Sequence, residues 1–275
     1  MQVRDDVRHD DTRHRFGLRL QAARTFIAWL CGRPSQRGSP SLGASADVIL
    51  VSPTPNPPLR RRWRALLQTR AATAGELDAV LEVLAAAIEL REEETGEHTR
   101  RVTRLALALA RKVAPELAAE PEFRYGCLLH DIGKLGVPDS VLAKSHALTP
   151  AEIRQLEQHP VIGAQLVTAS VLLSGAARDV IAFHHERWDG TGYPWGLGGA
   201  QIPLAARIFT IADRFDALTS ERPYRKGIPL QRALAELKLE AGRCLDPSLV
   251  DEFIPVAAKL GLPSRQTRRR HLRVA

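Results

Sequence analysis

Residues Arg124–Lys134 read RYGCLLHDIGK, and the last five of them, His130-Asp131-Ile132-Gly133-Lys134, decide how the rest of the chain is understood. The apolar run Cys127–Leu129 predicts the buried end of a helix. An imidazole and a carboxylate follow at once, then a glycine and a cation. His130 and Asp131 are therefore expected to be metal ligands. The carboxylate is able to serve two cations, because each of its oxygens binds separately. Lys134, expected one helical turn beyond His130, is placed to pair with an anion.

Other ligands are sought by asking which residues could complete such a site. Of nine histidines, five fall at expected helix ends or turns beside carboxylates: His98, His130, His159, His184 and His185. Glu94 and His98, four residues apart, are predicted on one helix face. Thr149-Pro150-Ala151-Glu152 combines an N-cap, a proline at the first helical position and a capping-box glutamate, so a helix is predicted to start there and to end near His159-Pro160. His184-His185 closes another apolar helix. Asp213 sits in FTIADRFDAL, where an unpaired carboxylate would be costly to bury. Binding a cation removes that cost; an ion pair with Arg207 or Arg214 is the plainer alternative. Asp189 and Asp216 fit either groups that orient histidines or helix caps. Five imidazoles and three carboxylates without sulfur suit iron, manganese or another first-row ion better than a cysteine zinc site or an all-oxygen calcium site. Eight candidate ligands exceed one ion, so two ions are the minimum, and Glu94 leaves room for a third.

The chain of 275 residues is 44% hydrophobic, enough for a real core. Its formal charge of +8 is unevenly placed. Residues 1–70 carry 13 Lys/Arg against 5 Asp/Glu, residues 71–264 carry 21 against 26, and residues 265–275 carry 5 against none. The basicity thus belongs to the ends. Residues 1–60 are expected to be a largely disordered extension: an amphipathic stretch, RFGLRLQAARTFIAWL, then a Pro/Ser/Gly-rich segment with PTPNPP. Residues 61–75 are expected to be a linker or helix start, residues 76–264 one helical catalytic domain, and residues 265–275 a basic tail. Neither the Arg60–Arg64 cluster around Trp63 nor the tail belongs to a recognisable nucleic-acid module, so no specific nucleic acid is expected. No apolar run approaches the roughly 20 residues of a membrane span, and MQVRDDVRHDD lacks the form of a secretory signal. The expected compartment is the cytoplasm. Cys31, Cys127 and Cys244 show no CxxC pairing and are expected to be reduced. From about residue 76 the apolar spacing is helical and strand-like alternation is nearly absent, so the class is all-α, with roughly eight to ten helices.

HDIGK at 130–134, HHERWDGTGYP at 184–194 and ADRFDALTSERPYRK at 212–226 stand in the order that resembles the HD-GYP family of metal-dependent phosphodiesterases, within the wider HD phosphohydrolases. The resemblance covers about residues 76–262. It implies an HD-domain-like helical bundle, a two- or three-metal site, and hydrolysis of cyclic di-GMP, by a hydroxide shared between the ions, with either pGpG or GMP as the end product. The family's metal ligands fall on Glu94, His98, His130, Asp131, His159, His184, His185 and Asp213. Asp131 and Lys134 would act at the phosphate. Tyr193, in the Gly192-Tyr193-Pro194 loop, and Arg222, Arg225 and Lys226 would hold the rest of the substrate. The loop is also the expected contact for GGDEF-type diguanylate cyclases. The plainer alternatives are a cyclic-dinucleotide or cyclase-binding module without turnover, and a hydrolase of another cyclic dinucleotide. A homodimer through the helix at about 76–92 is a further expectation, from its apolar stripe.

Overall fold

The computed structural model describes residues 74–91, 97–144, 146–168, 173–221 and 226–260. The expectations for residues 1–73, for the tail, and for Glu94, Arg222 and Arg225 lie outside the described residues. The helices, in chain order, are α1 (Ala74–Arg91), α2 (His98–Val113), α3 (Pro115–Ala119), α4 (Pro121–Leu128), α5 (Asp139–Leu142), α6 (Pro150–Leu156), α7 (His159–Val167), α8 (Ala176–Phe183), α9 (Leu204–Thr219), α10 (Leu230–Glu240) and α11 (Pro247–Leu260), with 3-10 turns at Ile132–Gly136 and Gly199–Gln201. Nine of the helices have seven or more residues, in keeping with an all-α bundle of eight to ten. Two isolated bridges, Asp189–Gly198 and Ala241–Leu245, are the nearest approach to a sheet among the described residues.

Proline sets many of the helix starts, because its fixed φ suits the first turn and its missing N–H is not needed there. α3, α4, α6 and α7 each carry it at the first or second position. The Thr149 capping box is present: Thr149 Oγ1 accepts from Glu152 N–H and the Glu152 carboxylate accepts from Thr149 N–H. Two helix boundaries differ from expectation. α6 ends at Leu156, and His159 opens α7 instead of closing α6; Pro160 starts a helix where it was read as ending one. The helix that carries His98 begins at His98 itself, with Glu97 as its N-cap, not four residues earlier.

The largest apolar core joins α2, α9, α10 and α11 with Phe123 and Cys127 of α4. Phe123, Phe209 and Phe253 are fully buried; such side chains contribute about 1.5–3 kcal/mol each by leaving water. A second core packs α1, α4, the 3-10 turn, α7 and α8 around Leu129, Ile132 and Ile181. A third lies under the loop after α8, around Phe183, Trp195 and Ile202. The turn that carries His130 and Asp131 is bounded by the first two, through Cys127 on one side and Leu129 and Ile132 on the other. No helix among the described residues is long and apolar enough to cross a membrane.

Candidate metal centre

α4 stops at Leu128, and the chain tightens through Leu129–Asp131 into the 3-10 turn, with Ile132 N–H on Leu129 O and Lys134 N–H on Asp131 O. His130 and Asp131 therefore stand on a turn between helices, and their side chains are fixed by what that turn touches. Gly133 is the closest crossing: a Cβ there would lie 1.8 Å from the carbonyl oxygen of His159. Only glycine lets α7 come near enough for His159 to face Asp131.

Three imidazoles are oriented alike. Nδ1 of His130 lies 3.0 Å from Cys127 O, Nδ1 of His159 lies 2.8 Å from Leu156 O, and Nδ1 of His184 lies 3.1 Å from Val180 O and Ile181 O. A carbonyl only accepts, so each Nδ1 donates and Nε2 is the atom that each ring turns toward Asp131, where a bound metal would take its lone pair. The three Nε2 atoms converge on Asp131. His130 Nε2 is 3.0 Å from its Oδ2; His159 Nε2 and His184 Nε2 are 3.2 and 3.6 Å from its Oδ1. The Nε2 atoms of His159 and His184 are 3.2 Å apart, and buried Oδ1 has no hydrogen-bond partner. Acceptors pressed together out of water repel one another unless a cation lies among them. Asp131, His159, His184 and His185 each offer one ligand atom, all within 4.8 Å of one another.

A second group adjoins the first. The ring of His98 lies 5.9 Å from that of His130, and its Nε2 is 3.3 Å from Asp213 Oδ1. Its Nδ1 is held at 2.8 Å by Asp216 Oδ2, and Asp216 also takes two bonds from Arg101, at 2.6 and 3.0 Å. Asp216 thus orients a histidine, whereas Asp189 folds its own turn by accepting from Thr191. The alternative ion pairs for Asp213 are absent: Arg207 pairs with Asp246 and Arg214 with Glu240.

The charges follow from these contacts. Burial and the neighbouring His159 and His130 push His184 down to about 4, and desolvation together with adjacent His184 holds half-buried His185 well below the usual histidine range. Both candidate ligands are neutral near pH 7. For Asp131, burial opposes ionisation, but His130 and Lys134 outweigh it and hold the carboxyl well below its ordinary value. Lys134 Nζ lies 2.8 Å from Asp131 Oδ2. Burial lowers His98, yet its bonds to Asp213 and Asp216 carry it up to about 10.

The loop after His185 closes over the cluster. Gly192 folds back so tightly that a Cβ would lie 2.4 Å from Arg187 N. Tyr193 stacks on His185, ring centroids 4.6 Å apart, and the Tyr193–Pro194 peptide is cis. Glu186 anchors the loop from below by accepting from Trp195 N–H (2.8 Å) and Leu197 N–H (2.9 Å). Neither Glu186 nor Arg101 stood out in the sequence, although each immediately follows or lies one turn from a candidate histidine. Of the other expected site residues, Lys226 is exposed and no contact ties it to the cluster among the described residues, while Glu94, Arg222 and Arg225 lie outside them.

Residues 82–249 match the model of a family described as HD domain. The chain belongs to the HD-domain family. Its HHERWDGTGYP block places it in the HD-GYP branch. A protein of Thermotoga maritima named cyclic di-GMP phosphodiesterase is 38% identical over 184 residues, covering 66% of this chain and 50% of that protein. A Vibrio cholerae protein named 3'3'-cGAMP-specific phosphodiesterase 2 is 37% identical over 185 residues, covering 64% of this chain and 35% of that one. A crystal structure titled as a cyclic GMP-AMP specific phosphodiesterase of V. cholerae shares the fold at a TM-score of 0.50 and 22% identity, over 64% of this chain and 47% of that one. This HD-domain chain spans about half the length, or less, of the curated relatives it matches.

Proposed function

We propose that this chain hydrolyses cyclic di-GMP in a metal-dependent reaction. The observation that carries the reading is the convergence of imidazole Nε2 atoms on Asp131, an arrangement that a divalent cation stabilises. The names of relatives such as the T. maritima phosphodiesterase support the substrate. Two ions fit the residues: one among Asp131, His159, His184 and His185, the other among His98, His130, Asp131 and Asp213, with Glu94 reserved for a third. Nitrogen and oxygen donors without sulfur favour iron or manganese. Bound there, such ions supply Lewis acidity toward the phosphate and lower the pKa of water to near neutrality.

The chain's own groups do the positioning. Lys134, beside Asp131, is the cation for a non-bridging phosphate oxygen. Tyr193, stacked on His185, forms the lip against which a base would rest. Arg222, Arg225 and Lys226 are proposed to hold the second phosphate. Residues 76–264 are the proposed catalytic unit, yielding pGpG or, on further cleavage, GMP. We assign the Gly192-Tyr193-Pro194 loop as the contact for GGDEF-type cyclases. The exposed stripe Val80, Val83, Ala87 and Leu90 on α1, spaced 3-4-3, is assigned as a homodimer seam.

The V. cholerae relative named for cGAMP supports a second reading in which the mixed cyclic dinucleotide is the substrate. Product analysis with each compound in parallel, using protein of known metal content, separates the two. Cyclic di-GMP turned over faster is the expected result, and faster loss of 3'3'-cGAMP would transfer the assignment.

A further inference from the structure

A cleft of about 310 Å³ opens on the side of α2 away from His98, bounded by α1 and α4. Four guanidinium groups line it: Arg100, Arg104 and Arg111 from α2, and Arg124 from α4. The three on α2 share a stripe, and Arg104 and Arg111, seven residues apart, span about 10 Å of helix. Glu82 is the acidic residue in the lining, and it is already clamped, 3.1 Å from Arg100 and 3.0 Å from Arg124. Arg104 and Arg111 have no carboxylate partner among the described residues. Leu107 and Leu128 give the cleft an apolar floor.

Thr103 supplies a separate sign of a ligand. It lines the cleft, is 5% exposed, and its hydroxyl has no hydrogen-bond partner. A threonine inside a helix ordinarily donates to the carbonyl four residues back, as Thr210 does to Ala206 and Thr219 to Phe215, both at 2.9 Å. Thr103 makes no such bond. A buried hydroxyl left without a partner is costly, and two exposed guanidiniums with no carboxylate partner stand beside it.

We infer that this cleft binds a phosphate-bearing small molecule of nucleotide size, apart from the histidine cluster. Arg104 and Arg111 take the anion, Thr103 donates to one of its oxygens, and the leucine floor receives the less polar part. Guanidinium forks match phosphate geometry, and the volume falls at the small end of ligand pockets. Residues 1–70, with 13 Lys/Arg against 5 Asp/Glu, have the wrong charge to cover the cleft. Leu128 also lines the small cavity beside His98, His130 and Asp131, so an occupant of the cleft would press on a wall of the metal centre.

The inference does not rest on the proposed hydrolysis and is tested by binding. Calorimetric titration of the metal-loaded full chain with inorganic phosphate and with GMP distinguishes a free anion from a nucleotide. Binding of either is expected to weaken at least tenfold in Arg104→Glu and Arg111→Glu, both exposed and safe for folding, and severalfold in the near-isosteric Thr103→Val. It is expected to persist in His130→Ala. Hydrolysis without added phosphate compound should be unchanged in the arginine variants. Loss of all binding in His130→Ala, equal binding in the arginine variants, no binding of either compound, or tighter binding of an acidic peptide would each overturn it.

Discussion

At the residue scale, Asp216 shows how an unassuming carboxylate governs the centre. It touches no other candidate ligand than His98, yet it fixes that ring and neutralises Arg101. Burial disfavours its charge, but His98 and Arg101 pull its pKa down to about 2, against about 3.9 in an unfolded chain. The stability it contributes, about 2 kcal/mol, is present above pH ~4 and is lost as pH falls through about 2. Asp216→Asn should lower the urea-unfolding free energy by about that amount at pH 7 and by progressively less in acid; a constant difference from pH 7 to 2 would refute the assignment. The raised pKa of His98 has a second consequence. Its Nε2 must lose a proton before it binds a cation, so metal uptake by stripped protein should strengthen and release protons as pH rises from 6 to 8. Potentiometric titration would show this, and pH-independent uptake would contradict it. The candidate ligands could be picked out of the sequence because His130-Asp131 and His184-His185 are contiguous and their types suggest the chemistry. Glu186 was not, since its part depends on a loop returning to it from residues 195 and 197.

Elements decide which of these residues meet. The Thr149 box could be read directly, because a capping motif is complete within four residues. The openings of α2 and α7 could not. Pro160 is equally at home just after one helix or just inside the next, and Thr95-Gly96, between Glu94 and His98, is a poor continuation of a helix. The crossing of α7 over the 3-10 turn was also hidden, because a glycine's need to be small depends on a partner distant in sequence. Gly133→Ala should cost more than about 3 kcal/mol and release metal, since His159 and Asp131 would be forced apart. Thr149→Ala should cost about 1 kcal/mol and leave metal content intact. Denaturant titration with metal analysis separates the outcomes; equal metal content in both variants would show that the crossing does not set the centre.

For the whole molecule, an all-α bundle with the candidate ligands drawn from α2, the α4 turn, α7, the end of α8 and α9 ties the proposed centre to the packing of the whole bundle. Chelation should therefore lower the unfolding midpoint of the entire fold rather than loosen one helix. The α1 seam belongs to this scale too. Val83→Glu with Leu90→Glu should convert a dimer to a monomer by light scattering, whereas an unchanged mass would remove the seam from the account. The most direct test of the central claim is turnover of cyclic di-GMP by the metal-loaded full chain beside Asp131→Asn, with metal content measured in both. The account predicts linear product from the parent chain and none from the variant, which should also bind less metal; intact cyclic di-GMP with the parent chain, or equal turnover by the variant, would contradict it.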